Sequence, residues 1–211
     1  MVTVGLGVVE VESRLLSGEL RCPGCTGELG PWGWARTRLL RDGRGAGVVL
    51  RPRRSRCRSY RSSHVLLPAF ALVRRADVVE VIGQALAMVA RGAGTRTAAE
   101  QVGRPAETVR GWVRRFRERA ELLRVLFTVL VAEVAPDPVM PAEAGHPVAD
   151  AVSAIAGAAV ATRSRWPSLV DSNVGEVSVW AFAAAVSHSR LLAPGWPPQV
   201  SPVTKLIVNT N

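Results

Sequence analysis

The chain has 211 residues, 48% of them hydrophobic, with three cysteines and a formal net charge of +10. That length suits one ordinary domain or two small ones, and the apolar share is enough to bury a core, which excludes a disordered polyelectrolyte. No apolar run reaches the roughly 18 residues of a spanning helix, and the stretch from Met1 to Glu12 lacks a basic leader, so a soluble cytoplasmic protein with no membrane partner is expected.

The charge is uneven. Residues 1–120 hold 22 arginines against 10 acids, whereas residues 121–211 hold five basic residues against seven acids. The basic surface therefore belongs to the first part, where it would attract a polyanion by releasing counterions from its phosphates.

In chain order, residues 1–67 mix cysteine, glycine, tryptophan and arginine with short valine or leucine runs. They read as short strands, with Asp42-Gly43 turning between strands over Trp34–Arg41 and Val48–Arg56. Pro68 opens a helical segment that runs to residue 135, in which Val78, Val81, Ile82, Ala85, Leu86 and Val89 follow helical spacing. Pro136, Pro138 and Pro141 mark a loop, after which helices are expected near 146–162 and 176–189, followed by a proline-rich tail from Pro194 to Pro202. The expected fold class is α+β, mainly α. Residues 1–67 would form a small zinc-ribbon-like β module, 68–135 a helix-turn-helix domain, and 136–211 a helical C-terminal region.

Cys22-Pro-Gly-Cys25 is a compact knuckle whose two thiolates can converge on one tetrahedral ion. Cys57-Arg-Ser-Tyr60 stands where a second knuckle belongs, with tyrosine in the fourth position. A phenol of pKa about 10 is a poor zinc donor at neutral pH, and His64 is the nearest substitute. The residues leave three readings open: zinc held by Cys22, Cys25 and Cys57 with His64 or water, a ribbon whose metal binding is lost or weakened, or unrelated cysteines.

The most specific pattern lies between Thr95 and Phe116. Thr97 and Glu100 have capping-box spacing, so a helix should start at Thr97. Gly103 supplies a tight turn, and Pro105 suits the first position of the next helix. Ala99 would let the two helices approach closely while Val109 and Trp112 face their core, as a helix-turn-helix requires. Ala106, Glu107, Thr108 and Arg110 lie near the start of the second helix, where side chains reach base edges, while Arg104, Arg114 and Arg115 suit phosphates. Glu107 could accept from a cytosine amino group or simply stabilise the helix N-terminus. Arg53, Arg54, Arg56 and Arg58 around the second knuckle would add a neighbouring phosphate-facing patch. Trp32 and Trp34 read as hairpin packing, with base stacking the alternative.

The succession of Cys22-Pro-Gly-Cys25, Arg56-Cys-Arg-Ser59, Ser63-His-Val-Leu-Leu-Pro68 and the helix-turn-helix resembles a bacterial family that joins an N-terminal zinc-ribbon-like knuckle pair to a transposase-type helix-turn-helix. In that family the second knuckle is usually Cys-x-x-Cys, so Tyr60 is a departure. The resemblance implies a helper, regulator or remnant of a mobile element, because the chain lacks the length and acid pattern of a transposase catalytic domain.

The expected function is therefore duplex DNA binding without catalysis, in transcriptional regulation or as a mobile-element accessory. The alternative is a protein-interaction adaptor. Val148, Val152, Ile155 and Ala159 could then line a homodimer face, or else an internal core. Ser187-His188-Ser189 and His146 lack the surrounding motif of a catalytic site.

Overall fold

A computed structural model describes residues 1–5, 7–43, 45–140, 143–166 and 177–196. Pro141 and the proline-rich tail beyond Trp196 lie outside them, as does residue 176 at the start of the second C-terminal helix expected from sequence. The fold is α+β and mainly α, with two hydrophobic cores that divide the sequence differently from the expected boundaries.

The smaller core belongs to a four-stranded sheet. Strands β1 (Val2–Val4), β2 (Leu29–Trp34), β5 (Arg53–Cys57) and β6 (Ser63–Pro68) lie in the order β1-β6-β5-β2. β1 runs parallel to β6, and the other pairings are antiparallel. Helix α1 (Val8–Leu16) packs on this sheet through Val11 and Leu15. The valines of this segment favour a strand, and strand is what the sequence leads one to expect. The i,i+4 pair of buried residues overrides that propensity, since burying one face is worth more than the few tenths of a kcal/mol separating valine from better helix formers. Cys22 and Cys57 are buried in the same core, beside Leu20, Leu29 and Leu66.

β3 (Arg38–Arg41) and β4 (Gly47–Leu50) form a separate hairpin. The long strands expected over 34–41 and 48–56 are each broken. Trp34 ends β2 after a bulge that contains Gly33 at φ +88°, and Pro52, which has no N–H to give a ladder, separates β4 from β5. The hairpin leaves the ribbon altogether: Leu40 is buried in the larger, helical core, with Val48 and Leu50 against it.

Pro68 closes β6, and helix formation waits until α2 (Val79–Ala90). Then come α3 (Thr95–Gln101), α4 (Ala106–Arg117), α5 (Ala120–Val134), α6 (Pro147–Arg165) and α7 (Val179–Val186). α5 and α6 form the most extensive helix pair. Leu123, Phe127 and Val131 of α5 are buried, and the small side chains of Ala151, Ala154 and Ala158 allow close approach. Val148 and Ile155 are buried in this same interior with Val152 packed partly buried against it, and Ala159 is buried too, so most of the face considered for a homodimer is taken up inside the chain. The loop after Val134 thus interrupts the chain without interrupting the core. Trp180 and Trp196 are buried as packing residues, whereas Trp166 stays exposed. Among the described residues no helix is long and apolar enough to cross a membrane.

α7 docks on α2 through a single vacant position. A Cβ on Gly83 would sit 2.0 Å from Trp180 Cδ2, inside the indole. Gly83→Ala should therefore force Trp180 out and cost ~1–3 kcal/mol, lowering the melting temperature by several degrees. Thermal unfolding followed by circular dichroism checks this, and an unchanged melting temperature would show that α7 does not depend on the contact.

Candidate functional site

The helix-turn-helix is built from the inside outward. Gly94, extended at ψ 152°, precedes α3, and Ala98 N–H bonds its carbonyl at 3.0 Å. The helix begins at Thr95, two residues before the expected Thr97, and no side chain caps it, so the Thr97–Glu100 capping box does not form. Ala98 and Ala99 are both buried in the core. Gly103 makes the turn at φ +63°, a conformation that disfavours any side chain. Pro105 then stands just outside α4, accepting from Thr108 and Val109, and Ala106 is the first helical residue.

α4 buries Val109, Trp112, Val113 and Phe116 along one face. On a 3.6-residue period the opposite face carries Glu107, Gly111 and Arg114, flanked by Arg110 and Arg117. The Glu107 and Arg114 side chains are 80% and 70% exposed, so this face is open to a partner. Arg110 pairs with Glu107, and Arg114 lies 4.0 Å from Glu118. Such exposed pairs are worth about 0.5 kcal/mol or less, so a phosphate or base edge can replace either acid at little cost.

The other expected contacts fall differently. Arg115 folds back on its own helix, donating to Gly111 O at 2.8 Å. Ala106 is half-buried against the helical core, and Thr108 is half-buried as well. Arg104 is turned inward. Its side chain is only 8% exposed and pairs with Asp77, itself 3% exposed. It also donates to the carbonyls of Asp42 at 2.7 Å and Gly103 at 2.9 Å. Its role is to hold the turn, not to grip phosphate. Asp77 carries no sequence motif that would single it out. It receives Arg41 of the β3–β4 hairpin at 2.8 Å as well as Arg104, and so joins hairpin to turn.

Residues 78–124 match the model of the homeodomain-like domain family. No curated protein and no solved structure matches the chain. The homeodomain-like segment spans α2, α3 and α4 and reaches into α5, and it supports DNA binding by a helix-turn-helix.

The ribbon arginines are mostly occupied. Arg53 pairs with Glu12 through two bonds of 2.8 and 2.9 Å, donates to Gly33 O and stacks over Trp34. Arg54 is half-buried, with Nε hidden and without a hydrogen-bond partner. Arg56 donates to Arg61 O and lies 4.4 Å over the ring of Trp32. Arg58 is exposed and pairs with Glu28 at 3.0 Å. Of the expected phosphate patch only Arg58 is exposed, since Arg53 and Arg56 are engaged within the ribbon and Arg54 is half-buried. Trp32 and Trp34 are half-exposed, each lying under an arginine.

The cysteines do converge. The sulfurs of Cys22, Cys25 and Cys57 all lie within 4.8 Å of one another, with Cys25 and Cys57 at 3.4 Å. Zinc–sulfur bonds of about 2.3 Å in a tetrahedron put sulfurs about 3.8 Å apart, so the three fit a structural zinc ion. His64 Nε2 is 3.5 Å from Cys22 Sγ but falls outside the mutually close set, and it also meets Ser62 Oγ at 3.1 Å. Burial pushes the His64 pKa down, which favours the neutral imidazole. The Tyr60 amide, which donates to Cys57 Sγ at 3.3 Å, leads the contacts that lower the Cys57 pKa.

The two knuckles share one backbone design. Thr26 N–H bonds Cys22 O at 2.8 Å with Thr26 at φ 58°, and Arg61 N–H bonds Cys57 O at 2.9 Å with Arg61 at φ 59°. Cys22 N–H returns to Gly27 O at 2.8 Å, as Cys57 N–H does to Ser62 O at 2.9 Å. Tyr60 occupies the position equivalent to Cys25, with its side chain 76% exposed to solvent. The ribbon therefore retains the backbone for a fourth thiolate without the thiolate.

Tyr60→Cys should complete the site and tighten zinc binding by more than the roughly 10- to 100-fold that outer-shell changes produce. Competition with a chromophoric chelator measures it, and equal affinity in both proteins would deny that position 60 faces the metal. Asp77→Ala should strand the buried Arg104 charge and cost ~3–5 kcal/mol in a denaturant titration. A destabilisation below about 1 kcal/mol would show that the bridge carries no weight.

Proposed function

We propose that the protein binds duplex DNA in a sequence-directed, non-catalytic manner, as a transcriptional regulator or an accessory of a mobile element. The carrying observation is the open face of α4, where Glu107, Arg110, Arg114 and Arg117 are exposed opposite a fully apolar buried face within the homeodomain-like segment. α4 enters the major groove with its N-terminal end toward the bases. Arg110 and Glu107 read base edges, and Arg114 and Arg117 hold the backbone. The three cysteines would hold zinc as a structural ion that stiffens the ribbon, with water or His64 at the fourth position.

No catalytic role is assigned to Ser187-His188-Ser189. Ser187 Oγ donates to Ala184 O, and Ser189 Oγ bonds Thr3 Oγ1 at 2.9 Å, so both hydroxyls serve the turn that joins α7 to β1.

Replacing Arg114 and Arg117 together by alanine should weaken DNA binding and reduce the slope of log affinity against log salt by about 2, roughly 0.9 for each phosphate no longer neutralised. Fluorescence anisotropy with a labelled duplex across a salt series reads both quantities. Wild-type affinity and slope in the double variant would remove α4 from the interface, and a wild-type protein without salt-sensitive binding would favour an adaptor.

A further inference from the structure

The β3–β4 hairpin lies beside the helix-turn-helix rather than in the ribbon that precedes it in sequence. Leu40 is fully buried in the helical core, and a Cβ on Gly43 would meet Val81 of α2 at 3.7 Å. Arg41 N–H bonds Ala76 O at 2.7 Å, and Val78 N–H bonds Arg41 O at 3.1 Å, so the end of β3 is stitched to the chain just before α2. Asp77 clamps Arg41 on one side and Arg104 on the other, and Arg104 Nη2 reaches Asp42 O. Arg104 stands only two residues before Ala106, the first residue of α4. These contacts fix the hairpin tip close to the N-terminal end of α4, the end that meets base edges in a helix-turn-helix.

The tip sequence Asp42-Gly-Arg-Gly-Ala46 carries one arginine and one acid, and Arg41 beside it keeps a half-exposed side chain although it pairs with Asp77, whereas Arg36, Arg38 and Arg51 fall at the opposite end of the hairpin. Positions 43, 45 and 47 are glycine, all three exposed, and a Cβ on Gly45 would meet nothing within 4 Å. Gly43 and Gly45 leave their stretches of backbone free to approach a phosphate closely. Its attachment is rigid, because it relies on a buried carboxylate and on Leu40 in the core, so little ordering would accompany contact.

We propose that the β3–β4 hairpin is a second DNA-contacting element, an arm whose tip rests on the sugar-phosphate backbone flanking the site occupied by α4. The proposal rests on the reading of α4 as the recognition helix. The arm lengthens the footprint beyond what α4 covers and adds affinity through phosphate contact, while sequence preference stays with α4.

Ala46 offers the test, because it is exposed on the tip. Ala46→Glu should weaken binding roughly 3- to 10-fold by placing a negative charge within a Debye length of the phosphates, and Ala46→Arg should strengthen binding while steepening the salt slope by about 1. Val160→Glu, at an exposed site on α6, controls for net charge. Melting temperatures of all variants confirm that the fold is retained, and hydroxyl-radical footprinting reads the flanking backbone. Opposite effects of Glu and Arg at position 46, with Val160→Glu inert and flanking protection weakened only by Ala46→Glu, support the arm. If both Ala46 variants bind as wild type, or if Val160→Glu weakens binding equally, the arm is overturned while the α4 reading stands. If the wild-type protein binds no duplex at all, the α4 reading fails and the arm fails with it.

Discussion

The arrangement of the N-terminal half depends on one buried carboxylate. Asp77 is almost wholly withdrawn from water and is neutralised from two sides, by Arg41 from the β3–β4 hairpin and by Arg104 from the turn of the helix-turn-helix. A buried carboxylate with a single partner is a doubtful asset, because desolvation can consume the Coulombic gain. Two guanidinium groups, one of them also satisfied by the carbonyls of Asp42 and Gly103, make the balance more favourable and specify a geometry. That geometry removes the hairpin from the ribbon, seats it on the helical core and fixes the turn that aims α4.

The same constraint separates the charge of the sequence from the charge available to a partner. The excess of arginine before residue 120 suggests a broadly basic surface, yet much of it is spent within the chain. Arg53 neutralises Glu12, Arg104 neutralises Asp77, Arg56 covers Trp32, and Arg115 returns to its own helix. Three exposed arginines, Arg110, Arg114 and Arg117, share the open side of α4, and others lie on or beside the hairpin, at the second knuckle and at Arg21, Arg74, Arg91 and Arg96.

The parts of this organisation legible in the sequence are those fixed by local pattern. The apolar spacing of Val109 and Trp112 beyond Gly103 specifies the turn and the buried face of α4 because helix periodicity and the positive φ of Gly103 are local demands. Cys22, Cys25 and Cys57 are legible for the same reason, since knuckle spacing is local even where the two knuckles are far apart. α1 is hidden because its valines favour strand, and only packing on the sheet reverses that preference. The placements of the hairpin and of Arg104 are hidden because both depend on Asp77, a lone acid between two apolar runs with no motif around it. Thr97 and Glu100 display a capping pattern that the chain does not use, since α3 starts at Thr95 after Gly94 and holds both residues inside the helix.

The central claim is that α4 reads duplex DNA by sequence, and selection from a pool of random duplexes across a salt series tests it most directly. The account predicts an enriched motif, bound with an affinity that falls steeply as salt rises. Retention of duplexes without enrichment would reduce the interface to phosphate contact alone, and the absence of salt-sensitive retention would contradict the account.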